Sequence, residues 1–262
     1  MQLTVDGKTV FAATGGRDFD PALPAVVFVH GAGMDHTVWA LQTRYFAYRG
    51  RGVLALDLPG HGRSEGPALD SVPGLADWLV RLLDAAGLES AALVGHSMGA
   101  LAVLDCAARH QDRVGALALL GIAPKMPVHP DLLAAAEADD HLAFDLVTSW
   151  AHGETGHLGG ARAPGLWLLW GGERLLERSR PGVLYRDLAA CNAYQEAGAL
   201  AGAVSCPSLL VLGAEDKMTP ARAGRKLAEA IAGASVSVIP DCGHMMMTEK
   251  PDQTLDALKT LL

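Results

Sequence analysis

The chain has 262 residues, 50% of them hydrophobic, with 29 acidic against 21 basic side chains and a formal net charge of −8. That size and apolarity suffice for one large core, alone or with an insertion, and exclude a disordered chain. The acidic balance without a Lys/Arg cluster argues against nucleic acid or an anionic membrane surface as partner, and for a small molecule that is not strongly anionic. Met1 to Phe11 has no cationic start before an apolar run, and no apolar stretch is long enough to span a bilayer. Cys106, Cys191, Cys206 and Cys242 show no Cys-x-x-Cys spacing, so reduced thiols in a cytoplasmic protein are expected. Cys242 reads as a small apolar residue beside a site rather than as a reactive thiol.

In chain order, Leu3-Thr4-Val5, Asp6-Gly7 and Thr9-Val10-Phe11 read as a hairpin, because Asp-Gly tolerates the positive φ of a tight turn. Short, non-alternating apolar runs follow at 25–29, 52–56, 91–94, 116–120, 208–212 and 236–239, the pattern of strands buried on both faces. Helical stretches fall between them at 75–86, 101–109, 221–232 and 252–262. Strand alternating with helix predicts an α/β fold with a parallel sheet covered on both sides, and ligands then sit outside the carboxyl ends of the strands. About eighty residues separate the strand ending near Ala123 from the one starting near Pro207, too many for one crossover helix. We therefore divide the chain into a core of 1–124 and 206–262 and an inserted helical cap of 125–205. The cap reads as helices at 132–138, 141–150, 166–177 and 184–197, and it holds Trp150, Trp167 and Trp170.

The chemistry concentrates at strand ends. Gly95-His96-Ser97-Met98-Gly99 stands between a buried strand and a helix, and flanking glycines suit a sharp strand-to-helix turn that leaves a serine exposed over a helix N-terminus. A serine nucleophile needs a general base and an orienting carboxylate. Two later strands supply candidates at the same rim, running into Glu215-Asp216 and into Asp241-Cys242-Gly243-His244. His244 is the expected base. Motif order favours Asp216 as its carboxylate, with Glu215 and Asp241 as competitors. The oxyanion donors are expected at the amide of Met98 and in the loop His30-Gly31-Ala32-Gly33, with Ala32 first and Gly33 second.

Together with Asp57-Leu58-Pro59-Gly60-His61-Gly62-Arg63-Ser64 and Gly213-Ala214, these motifs resemble the α/β-hydrolase superfamily over nearly everything outside the insert. The resemblance implies an eight-stranded, mostly parallel sheet with a helical cap between the sixth and seventh strands. The segment from Asp57 to Ser64 is then a structural loop near the site, with Asp57 and Arg63 bonding neighbours. Serine at the elbow argues against the haloalkane dehalogenase and epoxide hydrolase branches, whose pattern has aspartate there. The chain is most similar to the capped serine carboxylesterases, since carbon–carbon bond hydrolases of ring-cleavage products commonly carry His-Gly-x-Gly-Pro-Gly and a Trp after the catalytic His. Here Met34-Asp35 and Met245-Met246-Met247 stand in those places.

The expected activity is hydrolysis of a carboxylic ester with a small to medium, largely apolar acyl group through an acyl-enzyme, with no metal or organic cofactor. Met126, Trp150, Trp167 and Met245 are the expected substrate contacts, with Met98 and Met246 as further candidates. Lys125 and Arg63 are candidates for a substrate carboxylate. Carbon–carbon hydrolysis or acyl transfer on the same triad, and a non-catalytic ligand receptor, are the alternatives.

Overall fold

A computed structural model describes residues 1–157, 159–161 and 167–262. Eight strands form one sheet in the order β1-β2-β4-β3-β5-β6-β7-β8. They are β1 (Gln2–Val5), β2 (Lys8–Ala13), β3 (Ala25–Val29), β4 (Gly52–Leu56), β5 (Ala91–His96), β6 (Val114–Leu120), β7 (Ser208–Gly213) and β8 (Ser235–Ile239). β1 pairs antiparallel with β2, and β2 with β4, while every later pair is parallel. All five residues of β3 and of β4 and all six of β7 are buried, which is why their sequences run apolar without alternation.

The core helices are α1 (Ala40–Ala47), α2 (Val72–Ala85) and α3 (Met98–Arg109). Between β6 and β7 come α4 (Pro130–Glu137), α5 (Leu142–Ala151), α6 (Glu154–His157), α7 (Leu168–Glu177), α8 (Val183–Ala193) and α9 (Ala197–Leu200). Then follow α10 (Ala221–Ala228), α11 (Met246–Glu249) and α12 (Pro251–Leu258). The expected cap helix at 166–177 begins at Leu168, and Leu166 itself lies outside the described residues. α1 was not foreseen. It buries Gln42 and Thr43 beside Phe46 and Ala47, and polar residues on the inward face mask the amphipathic pattern. α10 and α12 end earlier than expected. After α10 the chain tightens, with Ala230 N–H reaching the Leu227 carbonyl, and it turns at Gly233 (φ 71°).

Each face of the sheet has its own core. Leu79 and Leu82 of α2 and Leu101 and Leu104 of α3 cover one face. Trp39, Phe46, Met246, Met247 and Leu258 cover the other, with the Trp39 ring centroid 5.2 Å from that of Phe28. Each such side chain contributes about 1.5–3 kcal/mol by leaving water. A smaller cluster built on Leu132, Val147, Leu176, Leu184 and Leu188 joins the helices α4, α5, α7 and α8 between β6 and β7. Tyr194, Ala197, Ala201 and Val204 instead join the core cluster with α3, so the end of the inserted stretch packs on the core.

Two glycines let α3 close against the sheet. A Cβ on Gly99 would press into the Val29 and His30 carbonyl oxygens, and one on Gly95 into the Gly99 carbonyl. These obstacles are backbone and cannot rotate away. Gly99→Ala is therefore expected to cost at least about 3 kcal/mol. A thermal melt should show this as a fall of more than about 5 °C; an unchanged midpoint would mean that α3 can move off β3 freely.

Candidate active site

Ser97 follows β5 and precedes α3 with φ 53° and ψ −115°, a conformation that costs a non-glycine residue energy. It is held there from both sides. Its N–H donates to the Leu120 carbonyl (2.9 Å), and its carbonyl accepts from Ala100 and Leu101 (2.9 and 3.1 Å). The helix expected from Leu101 begins at Met98, directly behind the serine.

His244 stands in the loop after β8, with its backbone N–H on the Ala151 carbonyl at 2.7 Å. Its Nδ1 lies 2.8 Å from Asp216 Oδ2. Asp216 Oδ1 accepts from the Met218 and Thr219 amides (2.9 and 2.8 Å), and Oδ2 also accepts from Thr219 Oγ1 at 2.7 Å. Burial works to raise the Asp216 carboxyl, but His244 and the Thr219 donors outweigh it and hold it below the ordinary carboxylate range. An ionised acceptor at Nδ1 fixes the proton there and leaves Nε2 as the free lone pair. Nε2 is buried and has no protein partner among the described residues. Neither competing acid is hydrogen-bonded to His244. Glu215 Oε2 accepts from the Glu154 amide at 2.7 Å, and Asp241 is exposed in a positive-φ turn (48°).

Ser97 and His244 open onto one cavity of about 370 Å³. Met34, Met126, Val128, Leu132, Val147 and Leu188 give it apolar walls, with Trp150 and Ala32 also on its surface. Besides His244, its titratable lining groups are Lys217, His129 and Cys191. Of the expected substrate contacts, Met126 and Trp150 line this cavity. Trp167 and Met245 do not: they border a separate groove with Leu41, His152 and Arg174, where Trp167 stacks on Trp170 at 5.9 Å. Met98 and Met246 are sealed in the two cores. Spacing along the chain marks a methionine as near the histidine without telling which side of the loop it takes. Sequence reasoning also missed Met34, Met218, Lys217 and Thr219. The expected carboxylate contacts are not on the cavity wall either, and Arg63 lies over the Phe11 ring, 3.7 Å from its centroid.

The candidate oxyanion donors separate as well. Among the described residues the Ala32 and Met98 amides donate to no protein acceptor, and Ala32 lines the cavity. Gly33 is different, because its N–H is spent on Asp187 Oδ2 at 2.8 Å. His96, before the serine, sets its Nε2 3.0 Å from the His244 carbonyl, and its ring centroid is 4.7 Å from that of His244. Burial, with His244 beside it, pushes His96 well below the ordinary histidine range, so it donates there as a neutral ring.

The model of the α/β-hydrolase family matches residues 26–257. This chain belongs to that family. The α/β hydrolase is 34% identical, over 84% of its own length and 87% of the relative's, to the pimeloyl-[acyl-carrier protein] methyl ester esterase of Chromobacterium violaceum. It is 27% identical to the 2-hydroxy-6-oxo-6-phenylhexa-2,4-dienoate hydrolase of Comamonas testosteroni, over 96% and 95% of the two chains. Its fold superposes on the enol-lactonase of Burkholderia xenovorans LB400 with a TM-score of 0.88 at 24% identity, covering 99% and 98%. The family match and these relatives make the protein a hydrolase. Among the described residues, no helix is long and apolar enough to cross a membrane.

In this hydrolase the loop after β4 is tied down by Asp57. Its Oδ1 accepts from the His36 amide and lies 2.7 Å from His36 Nδ1, and Oδ2 accepts from the Arg63 amide at 2.8 Å. Burial opposes ionisation of Asp57, yet these bonds hold its carboxyl below the ordinary range. Asp35, His36 and Asp57 are close enough to share a cation, as are His141, Glu173 and Glu177. The first group already satisfies itself, Arg174 pairs with both glutamates of the second, and neither group lines the Ser97 cavity. Cys242 is buried beside Glu249, and burial pushes its thiol far up, which removes the thiolate that a reactive cysteine needs.

Proposed function

We propose that the protein is a serine carboxylesterase for esters of small to medium, largely apolar acids, acting in the cytoplasm. The carrying observation is the buried, unpartnered Nε2 of His244, which shares an apolar cavity with Ser97 while Nδ1 is taken by Asp216. Ser97 Oγ attacks the ester carbonyl as Nε2 accepts its proton, and the same imidazolium then protonates the departing alcohol. The amides of Ala32 and Met98 receive the oxyanion, and one such donor is worth roughly 3 kcal/mol of barrier. Water activated by His244 then releases the acid. Met126 and Trp150 are the substrate contacts this reading keeps.

A cavity of this size lies at the lower end of the range for small-molecule sites, which supports a short acyl group. A fluorophosphonate should label Ser97 stoichiometrically by mass spectrometry, and p-nitrophenyl esters should turn over fastest at short to medium chain length. Absence of both labelling and turnover would remove the serine-esterase reading. The likeness to a dienoate hydrolase along almost the whole chain supports a second reading, hydrolysis of a carbon–carbon bond in a ring-cleavage product. Labelling of Ser97 without turnover of any simple ester would favour it.

A further inference from the structure

We infer that Asp187 and His61 are positioning residues which latch the oxyanion loop to the cap, so that the oxyanion site is complete only when the cap is seated. Asp187 belongs to cap helix α8, and both its side chain and that of His61 are 2% exposed. One carboxylate oxygen, Oδ2, accepts from the Gly33 amide at 2.8 Å and from His61 Nε2 at 2.8 Å. A single atom of the cap thus holds the loop after β3 and the loop after β4 together. Leu184 and Leu176 close over the same place, since a Cβ on Gly33 would lie 3.0 and 3.1 Å from their methyl carbons. Ala32 packs against the cap's apolar cluster. The Ala32 amide is therefore carried by a loop pinned at the very next residue.

The hydrogen-bond pattern also fixes the charge. His61 Nδ1 faces the Pro59 carbonyl at 3.0 Å and Nε2 faces the Asp187 carboxylate. Both partners only accept, so both ring nitrogens must carry protons. Burial works against this imidazolium, but Asp187, the Pro59 carbonyl and Asp57 at the end of β4 outweigh it and raise His61 above the ordinary histidine range. His30, its ring centroid 4.8 Å away on the loop after β3, is pushed down to about 4 by burial and by His61, and so adds no competing charge. His30 accepts the Leu58 amide through Nε2 and donates through Nδ1 to the Gly31 carbonyl. The latch is complete below the raised value of His61. As pH rises through that value the proton is lost, the Asp187 bond weakens, and kcat falls.

The inference rests on the reading of Ala32 as an oxyanion donor. The test pairs kinetics of Asp187→Asn with nitrogen-resolved NMR of His61 in the wild-type protein. The amide keeps the size of the side chain but not the charge that keeps His61 protonated. We expect kcat to fall about 10- to 100-fold with KM within about threefold, and the alkaline decline of the wild-type enzyme to disappear. His61→Gln should give a similar loss, and the double variant should be no worse than either single one, because the pair acts as a unit. NMR should find both nitrogens of His61 protonated at neutral pH. A neutral His61 at pH 7, wild-type kinetics with an unchanged alkaline limb in Asp187→Asn, or losses that multiply in the double variant would overturn the latch. If Asp187→Asn does not fold, the wild-type NMR result decides. Failure of wild-type labelling and turnover would instead sink the esterase reading, and the His61 spectrum separates the two.

Discussion

Ser97→Ala is expected to lower kcat for p-nitrophenyl esters by at least about 10⁴-fold while leaving the protein folded. On the proposed mechanism the loss is large because Cys191, a thiol that also lines the cavity, is held far up and un-ionised by burial, and the Thr219 hydroxyl is spent on Asp216 Oδ2. Stability should survive because Ser97 Oγ makes no hydrogen bond to any described residue, and its backbone is held by Leu120, Ala100 and Leu101. Alanine inherits the same unfavourable φ of 53°, so it gains no relief. Glycine does. Ser97→Gly should be equally inactive yet more stable by about 1 kcal/mol, since relief of roughly 1–3 kcal/mol of backbone strain outweighs about 0.5–1 kcal/mol of extra chain entropy. Denaturant melts of the three proteins check the ranking. Extensive unfolding in Ser97→Ala, or retained turnover, would remove the serine from its assigned place.

What the sequence disclosed follows from how each element is buried. β3, β4 and β7 are covered on both faces, so their apolar runs were visible as strands. The rim was legible because Ser97 and Asp216 follow the buried strands β5 and β7 and His244 follows the edge strand β8, which is only partly buried, and residues after parallel strands gather at one edge of the sheet. α1 was hidden because Gln42 points inward to reach the Met247 carbonyl at 2.9 Å, a bond spanning 205 residues that no local pattern signals. The same limit explains Gly33. Its smallness was apparent, but the acceptor that occupies its amide lies 154 residues on, in α8. Trp167 and Met245 were drawn to the site by composition, and packing sends both to the other groove. Local pattern carries secondary structure and strand-end chemistry; pairings across the insert require the fold.

Asp216→Asn should lower kcat by about 10⁴-fold with little change in KM, and the geometry explains why an isosteric change does so much. Oδ1 faces two backbone donors, from Met218 and Thr219, which cannot turn away. The amide oxygen of asparagine must take that position, leaving its NH2 group toward His244 Nδ1 and Thr219 Oγ1. A donor there forces Nδ1 to accept, so the proton moves to Nε2 and the base is lost to Ser97. The ring stays in place because the His244 amide still holds the Ala151 carbonyl, and substrate binding is accordingly spared. Glu215→Gln should change kcat less than about threefold, since its carboxylate meets the Glu154 amide and not the histidine. Thr219→Val is the intermediate case: it removes the hydroxyl that lies 2.7 Å from Asp216 Oδ2 and 3.2 Å from His244 Nδ1 while leaving the tautomer intact. Asp216, held below the ordinary carboxylate range by His244 and the Thr219 donors against the opposing effect of burial, supplies a charge that asparagine cannot. Steady-state kinetics of the three variants test the order Asp216→Asn, Thr219→Val, Glu215→Gln. A larger loss in Glu215→Gln than in Asp216→Asn would transfer the orienting role to Glu215 and would require the loop after β7 to turn by one residue in the working enzyme.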